Sequence, residues 1–416
     1  MFNKKIIGVC STAAALVLAM GACSDGDGSS GGSSESSSGG TIKLMTVAPT
    51  ETSTGGANLP ESIAAVQAAV TALNDRGGIK GQQVELTVCN NKNDATAAAA
   101  CGQQAVDEKV VAVVGMYSQT GGEMAPLESA SIPAVGSVGI AGDGSELTSK
   151  MSFVYYNPVF GFVACPSVLA ADGVKQIGGI SSDVAASQRT AALVQAGGVA
   201  AGKPIDPNIK LPLNTSDYAP AAAQLVDGGA DGVTMVSTEQ GSVALMRAGG
   251  NKLKYCNAQG ALSEPSLASA GPSAAGFYES GPFPPFSAAS EYPELQQFTT
   301  EMDAAFASGD KAAAPELRKA TSLNAWLAVQ AVDKVAEQIS GDVTSASLLD
   351  QLNKTTDLDL GVVPPLNFTQ QTPIPGLDRL FNTTVRANKW DAASKQLVPA
   401  SDTLYNGLEL LSKSQG

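Results

Sequence analysis

The sequence predicts an α/β fold in which two similar lobes, each built on a parallel β-sheet, follow one another along the chain. Segments with the hydrophobicity of β-strands alternate with segments of helical periodicity, and glycine-containing turns separate them. The same alternation begins a second time near Phe160. Because an order of strand, helix, strand, helix is typical of parallel sheets covered by helices, we expect both halves to be α/β units.

The first half contains three strand–helix repeats. A continuous apolar run, Val110 to Val114, is typical of a strand that is buried on both faces. The predicted strands are Ile42–Val47, Val84–Val88, Val110–Val114 and Ile132–Val135. The predicted helices are Ile63–Leu73, a helix that Asn93 or Asp94 caps and that ends near Val106, and Glu123–Ala130.

The second half repeats the pattern. Its predicted helices are Cys165–Ala171, one that begins at Ala185, and Pro220–Val226, and its predicted strands are Gln176–Ile180, Ile209–Leu213 and Gly232–Val236. Residues 111–122 and 233–242 each run from an apolar strand through a polar, glycine-containing turn into a helix. Since open α/β sheets bind ligands beyond the carboxyl ends of their strands, two such ends facing each other predict a binding cleft.

Composition excludes several classes of function. The chain has no histidine, which removes Ser/His/Asp catalysis, histidine proton shuttles and histidine-ligated zinc. Its formal net charge is -14, so most of its surface would repel a nucleic acid. Asp143–Glu146 lacks most ligand positions of a calcium loop, and the cysteines have no CxxC spacing. We therefore expect no metal and no cofactor.

The first 22 residues have the pattern of an export signal. Lys4 and Lys5 precede an apolar run, Ile6 to Leu18, that is too short to span a bilayer comfortably. The small residues directly before Cys23 resemble the lipobox of bacterial lipoproteins, with Met20 where that motif more often has leucine. This resemblance implies that residues 1–22 are a lipoprotein signal peptide and that Cys23 is lipidated, for example with palmitate. The alternative is a soluble secreted chain in which Cys23 is incidental.

A low-complexity segment follows the signal. Residues 24–40 contain only Ser, Gly, Asp and Glu, a composition typical of flexible linkers. Together with Cys23 they predict a tether, residues 23–40, that lets a folded body move over a membrane surface. Stable anchoring requires more than one acyl chain on Cys23, because a single chain binds a membrane only marginally.

Several short segments resemble, in order along the chain, segments of one known family. They extend from residue 41 to about residue 405. The segments are Asn74–Gly81, the turn at Ser118, Ile132–Pro133, Glu146–Ser149, Ala230–Val233, Leu245–Arg247, Asn324–Val332 and Leu366–Thr369. Together they resemble the leucine-binding-protein family of ABC-importer receptors, which has the type I periplasmic-binding fold.

That resemblance implies two Rossmann-like lobes joined by a hinge of three crossing strands. We expect the crossings near Asn157–Gly161, near Pro282–Phe286 and between Leu366 and Leu377. The proline-rich second segment suits an extended crossing and equally suits a surface loop. Lobe 1 is then predicted to comprise residues 41–158 and 285–366, and lobe 2 residues 159–284 and 367–416.

The resemblance also implies where lobe 1 binds a ligand. The predicted contacts are Ser118, Gln119, Thr120, Val138, Gly139 and Ile140. The first three match a turn that holds a carboxylate through a hydroxyl and backbone N–H groups, although the Ser118 hydroxyl equally suits a helix cap. The last three match a loop that meets an ammonium group. Because they lack the hydroxyl that the family has nearby, only their backbone groups are expected to contribute.

Lobe 2 would supply an aromatic hydroxyl and a carboxylate. Thr238 or Glu239 falls at the first position and Gln259 at the second. A glutamine carries no charge, and an unpaired buried ammonium is costly. Either Glu239 supplies the charge, or the ligand is not a standard α-amino acid. The alternative for Glu239 is a solvated residue in the first turn of a helix, where the dipole favours it.

Aromatic residues near the predicted cleft have two interpretations each. Tyr155, Tyr156 and Phe160 lie at the first crossing, where they could form an apolar wall or pack the hinge. Trp326 lies in a helix with a clear apolar stripe. The resemblance places the start of this helix near the cleft, but core packing is favoured over ligand contact.

Four cysteines remain in the exported body, and an even number in an oxidising compartment indicates disulfides. Cys89, Cys101, Cys165 and Cys256 allow three pairings. Cys89 ends a strand and Cys101 lies in the helix that returns past it, which favours a bridge between them. That bridge also resembles one found in the family. Cys165–Cys256 is then the remaining pair.

The predicted function is that of a lipid-anchored, extracytoplasmic receptor that closes two lobes over a small carboxylate-bearing molecule and delivers it to an ABC-importer permease. Hydrophobic or branched-chain amino acids, amides and organic acids remain open as ligands. We expect a monomer that performs no chemistry. The alternatives are a sensory receptor for a membrane signalling partner and an extracytoplasmic enzyme, for which no paired carboxylates are evident.

Overall fold

The structure, a computed structural model, describes residues 40–52 and 57–414. The predicted signal peptide, the lipidation site Cys23 and the tether up to residue 39 lie outside the described residues. The strands are β1 (Ile42–Val47), β2 (Val84–Cys89), β3 (Ala112–Val114), β4 (Ala134–Val135), β5 (Ser152–Phe153), β6 (Ile177–Ser182), β7 (Ile205–Leu211), β8 (Gly232–Val236), β9 (Lys254–Ala258), β10 (Phe277–Gly281), β11 (Thr384–Asp391) and β12 (Gln396–Asn406).

The helices alternate with these strands over most of the described chain. They are α1 (Pro60–Asp75), α2 (Ala95–Asp107), α3 (Met124–Ala130), α4 (Ser145–Thr148), α5 (Pro158–Ala171), α6 (Ala185–Ala200), α7 (Ala219–Asp227), α8 (Glu239–Gly249), α9 (Glu264–Ala270), α10 (Pro293–Ala307), α11 (Ala320–Ala336), α12 (Ser345–Leu352) and α13 (Gly407–Lys413). Among the described residues, no helix combines the length and hydrophobicity that crossing a bilayer requires.

The first lobe is built on a parallel sheet with the strand order β2-β1-β3-β4-β5. The predicted strand at Ile42–Val47 is confirmed at its bounds. Helices α1 and α11 pack against each other and against this sheet. Because α11 is buried along most of its length, it forms the centre of the lobe 1 core.

The second lobe contains a mixed sheet with the order β12-β11-β10-β9-β8-β6-β7. Strands β6 to β10 are parallel, while β11 and β12 are antiparallel additions at one edge. Neighbouring residues of β8 lie in different core clusters, Met235 with α7, α8 and α9 and Val236 with α5 and α6. The sheet is therefore covered by helices on both faces, as the sequence predicts, and the two-lobed α/β fold is confirmed.

The chain passes between the two sheets three times. It leaves β5 and enters α5 through residues 154–157, leaves β10 and enters α10 through residues 282–292, and returns to β11 after residue 353. Asn157 caps α5, so the first crossing precedes most of the segment in which we expected it. The third crossing also lies elsewhere, since Phe368 still packs against Phe153 and the bridge of Leu380 to Val154 comes later in the chain.

Both predicted disulfides are present. Cys89 at the end of β2 is bonded to Cys101 in α2, with the Cα atoms 5.7 Å apart. Cys165 in α5 is bonded to Cys256 in β9, with a Cα separation of 5.6 Å. The second bridge fastens a covering helix to the central part of the lobe 2 sheet, close to where β9 ends.

Candidate ligand-binding cleft

The two lobes meet where strand β9 ends beside the start of α11. A Cβ atom placed on Gly260, whose φ is +82°, would lie 3.4 Å from the Cβ of Ala320 and 3.5 Å from the phenol oxygen of Tyr156. The Tyr156 hydroxyl also donates a hydrogen bond of 3.0 Å to the carbonyl of Gln259. One residue from each lobe and one from the first crossing thus converge at the carboxyl end of a strand, where α/β folds place their ligands.

The predicted carboxylate turn is tightly bonded within lobe 1. The hydroxyl of Ser118 is fully buried and accepts a hydrogen bond of 3.0 Å from the backbone N–H of Gly121. It also interacts with the carboxyl of Glu123. Because α3 begins at Met124, this bond shapes the turn and does not cap the helix. The Ser118 hydroxyl therefore fixes the backbone of the loop, and a ligand role for it stays a prediction.

The polar side chains near Ser118 make fewer hydrogen bonds within the protein. The Gln119 side chain accepts a hydrogen bond of 3.2 Å from the N–H of Ala57. The hydroxyl oxygen of Thr120 is buried and has no hydrogen-bond partner among the described residues. The fully buried hydroxyl of Ser137, on the adjacent loop after β4, also has none in the described part of the chain.

The second predicted ligand loop, Val138, Gly139 and Ile140, is held from both sides. The Asn157 side-chain amide donates to the carbonyl oxygens of Val138 and Gly139 at 3.3 and 2.6 Å. Glu146 Oε2 accepts the N–H groups of Ile140 and Ala141 at 2.9 and 3.1 Å. The backbone groups that we expected to face a ligand are thus already engaged within the loop's own surroundings.

Glu146 is a buried acid whose role the sequence did not reveal. Its pKa is raised to about 8, mainly by burial and also by the nearby carboxyls of Glu123 and Asp143, against the effect of the two N–H donors. The residue lay in a segment that carried the family resemblance, but nothing in the sequence distinguished it from an exposed first-turn glutamate of a short helix.

In lobe 2, Thr238 and Glu239 form the beginning of α8. The Thr238 hydroxyl accepts a hydrogen bond of 3.1 Å from the N–H of Gly241, as expected of an N-cap. Glu239 Oε1 accepts the N–H and the hydroxyl of Ser263 at 2.8 and 2.7 Å. Burial alone would raise the pKa of Glu239, but the bonds from Ser263 and the positive charge of Lys319 lower it overall. The Glu239 carboxylate is therefore ionised and tied to the start of α9.

Gln259 fastens β9 to the second crossing. Its side-chain nitrogen donates to the carbonyl of Phe283 at 2.9 Å, and its side-chain oxygen accepts the N–H of Phe283 at 3.0 Å. Both polar atoms of the buried amide are engaged. At the position where we expected an acid that neutralises the ligand, the Gln259 amide instead pairs with the backbone of Phe283, much as a neighbouring strand would.

A buried acid does lie beside this position, on the neighbouring strand. Glu279 in β10 accepts a hydrogen bond of 2.9 Å from the Asn388 side chain and one of 3.3 Å from the N–H of Gly260. Burial raises its pKa to about 7, against the effect of these two donors. Sequence reasoning missed it, and the only signal was a single carboxylate within an otherwise weakly polar strand.

Lys319 is a further residue that the sequence did not indicate. It immediately precedes α11, is half-buried, and lines a cavity with Gly260, Ser263 and Glu279. Its charge counteracts the rise in pKa that burial causes at Glu61 in lobe 1, and it lowers the pKa of Glu239 in lobe 2. The cationic side chain therefore acts on acids of both lobes.

The aromatic residues fill the structure around the cleft. The indole N–H of Trp326 donates to Glu301 Oε2 at 2.6 Å, and its ring packs against Phe298 in the lobe 1 core. Trp326 is fully buried, which agrees with the favoured interpretation. Tyr156 stacks at an angle on Phe283, with the ring centroids 5.4 Å apart, so it packs the hinge next to the cavity.

Comparisons with known proteins agree with this architecture. A family model described as periplasmic binding protein matches residues 41–388. A search of curated protein sequences finds no match. Many solved structures are similar to the chain. Because those compared below share less than 25% sequence identity with it, they bear on the fold alone.

Three of these structures have different named ligands or substrates. A branched-chain amino acid ABC transporter protein from Thermus thermophilus with bound valine is 13% identical, has a TM-score of 0.70, and the match covers 90% of this chain and 99% of that one. A solute-binding protein from R. palustris in complex with 4-hydroxybenzoate is 18% identical over 88% and 97% of the chains, with a TM-score of 0.66. A fatty acid ABC transporter substrate-binding protein from Thermomonospora curvata is 17% identical over 89% and 93%, with a TM-score of 0.65.

Proposed function

The chain belongs to the periplasmic binding protein family, in its leucine-binding-protein-like type, and from this membership we propose that it is the substrate-binding receptor of an ABC importer. The family consists of extracytoplasmic solute-binding proteins. The observation that carries the proposal is the convergence of Gly260, Ala320 and Tyr156, which brings the two lobes and the hinge to one point at a strand end. A ligand held there contacts both lobes and stabilises their closure.

The proposed ligand is a small molecule that bears a carboxylate. Valine, 4-hydroxybenzoate and fatty acids, which the names of the compared proteins mention, share this group. The cavity beside Gly260 supports the same chemistry, because the positive side chain of Lys319 stands next to apolar groups such as Phe283 and Leu323. Hydrophobic amino acids, amides and organic acids are all kept as candidate ligands.

We further propose that the receptor performs no chemistry and acts as a monomer attached to the cell membrane. The attachment rests on the lipobox-like sequence before Cys23 and on the Ser/Gly tether up to residue 40. The acids of the cleft support a binding role, since Glu239 and Glu279 each accept hydrogen bonds from neighbouring protein groups. A general acid–base pair would instead need carboxyls directed at a common reacting atom.

A ligand screen tests the proposal directly. The purified full-length chain is unfolded and refolded to remove co-purified ligand, and its thermal midpoint is recorded against amino acids, carboxylates, amides, polyamines and sugars. A ligand at about a hundred times its dissociation constant adds about 2.7 kcal/mol of stability, which is visible as a raised midpoint. We expect a rise with one or more carboxylates, and no rise with any compound would contradict a receptor function.

A matched pair of variants locates the site. Gly260→Leu places a side chain between the lobes, whereas Gly173→Leu places the same side chain at a closely matched φ, +83° against +82°, where nothing lies within 4 Å. Both variants should lose some stability, but only Gly260→Leu should lose the ligand-induced shift. Equal shifts in both would place the binding site elsewhere. Co-purification of the liganded chain with a membrane signalling protein in place of an importer would favour the sensory alternative.

A further inference from the structure

A cavity between the lobes is lined by a half-buried lysine, Lys319. Gln259, Gly260 and Glu279 line it from lobe 2, Lys319 and Leu323 line it from lobe 1, and residues 283–286 of the second crossing form a largely apolar wall. In the part of the chain that the structure describes, no carboxylate forms an ion pair with Lys319. A half-buried lysine thus lines a small, partly open space between the lobes.

The neighbouring cation, Arg318, already has partners in the protein. Arg318 also reaches this cavity, but its guanidinium forms an ion pair of 2.6 Å with Asp303 and donates to the carbonyl of Ala313 at 3.1 and 3.2 Å. Lys319 is therefore the cationic side chain of this cavity that remains available for a bound anion. A partly desolvated ammonium group gains more from a carboxylate than an exposed one, because water screens the pair less.

The same cavity is poorly suited to a second positive charge. Gln259, at the position expected for an acid, is neutral and uses both polar atoms on Phe283. Glu239 Oε1 is taken by two donors of Ser263. Glu279 accepts from Asn388 and from Gly260, and burial raises its pKa to about 7, so at neutral pH it is ionised only in part. Glu264, which also lines the cavity, accepts the N–H of Leu397 at 2.8 Å. An ammonium group in this space would therefore meet the charge of Lys319 beside carboxyls that already accept hydrogen bonds from the protein.

We propose that Lys319 binds the carboxylate of the ligand and that the ligand is an organic acid with an apolar body and no α-ammonium group. This inference rests on the proposed receptor function and narrows its substrate class. The carboxylate lies at the Lys319 ammonium group, and the apolar body lies along Phe283 and Leu323. Selection against amino acids follows from the lack of a carboxylate that is free to pair with a second ammonium group.

The test compares charge variants of the full-length chain against matched compounds. Hexanoate and benzoate are the acids, hexanamide and benzamide their uncharged counterparts, and leucine the amino acid. Lys319→Met removes the charge at nearly constant length, Lys319→Arg keeps it, and Lys311→Met removes a lysine that is exposed outside the cavity. Affinities are measured by calorimetry, and circular dichroism confirms that each variant is folded.

We expect the wild-type chain to bind at least one of the acids more tightly than its amide and more tightly than leucine. Lys319→Met should weaken that binding about 10- to 100-fold, as is typical for loss of a charge-assisted hydrogen bond, while Lys319→Arg and Lys311→Met retain it to within a few fold. Unchanged affinity in Lys319→Met, or tighter binding of leucine than of either acid, overturns the inference and leaves the receptor function intact. Absence of binding of both acids to the wild-type chain also overturns the inference, whereas the receptor function fails only if the broad ligand screen finds no binding compound.

Discussion

Glu146 makes the stability of lobe 1 depend on pH in a direction opposite to that of a surface carboxylate. Its side chain is fully buried and accepts the N–H groups of Ile140 and Ala141 through Oε2. Among the described residues, Oε1 has no hydrogen-bond partner. Burial raises the pKa to about 8, and the carboxyls of Glu123 and Asp143, which face the same space, act in the same direction.

The sign and the size of the effect follow from linkage. Because the folded-state pKa lies above the ordinary value of 4.5, the folded protein holds a proton that the unfolded chain releases. The stabilisation is fully present below about pH 4.5 and is lost as the pH rises through about 8. One proton changes the free energy of unfolding by at most about 1.4 kcal/mol per pH unit, so the ceiling over this window is about 5 kcal/mol.

Urea unfolding of the wild type and of Glu146→Gln between pH 5 and pH 8 measures this contribution. The amide keeps an acceptor for the two N–H groups but holds no titrating proton, so the variant should lose less stability than the wild type as the pH rises. Glu279 titrates in both proteins and cancels in the difference. Glu85→Gln, an exposed substitution on β2, should follow the wild type. Parallel pH profiles of wild type and Glu146→Gln would refute the assignment of a buried, protonated Glu146.

Two further changes test the packing of the lobes. Replacing both cysteines of the Cys165–Cys256 bridge by alanine should lower the free energy of unfolding by about 4.5 kcal/mol, against about 3 kcal/mol for the Cys89–Cys101 bridge. The difference arises because the closed loops span 91 and 12 residues. Thermal melts of the two double variants check this order, and a larger loss for the shorter loop would contradict it. Trp326→Phe removes the N–H that Glu301 accepts inside the core and should cost about 1–3 kcal/mol in urea unfolding; an unchanged midpoint would show that this bond contributes nothing to stability.

Most of the parallel strands were predictable because each is a short apolar run between turn residues, and burial on both faces leaves a strong hydrophobic signal. The parallel strands β5, β9 and β10 were not predicted. The hairpin β11–β12 was not predicted. It lies at the sheet edge, β12 contains Pro399, and several of its residues, such as Leu404, are exposed. An exposed edge strand carries little of the periodicity from which strands are recognised. The third crossing was misplaced for the same reason, since no strong pattern marks the chain before β11.

The ligand-binding residues were harder to predict than the strands, for a different physical reason. Sequence pattern places loops at strand ends, but it does not show which partners their polar groups find. The amide of Gln259 pairs with Phe283, which lies 24 positions away in the chain, and the carbonyls after β4 pair with Asn157. Lys319 reaches the cavity from a helix that begins far beyond both. These contacts arise from how the lobes and crossings are arranged, and single-residue propensities carry no information about them.

The internal bonding of the predicted loops bears on how the cleft selects its ligand. Ser118 bonds to Gly121, and Glu146 holds the N–H groups after Gly139, so hydrogen bonds within the protein hold these loops in place. A preordered loop loses little conformational freedom on binding, which leaves more of the interaction energy for affinity. It also offers few free polar groups, so discrimination between ligands falls to the side chains that remain uncommitted. With Lys319 as the available cation, and with Glu239, Glu264 and Glu279 each accepting hydrogen bonds from the protein, we expect the cleft to favour an anion over a zwitterion.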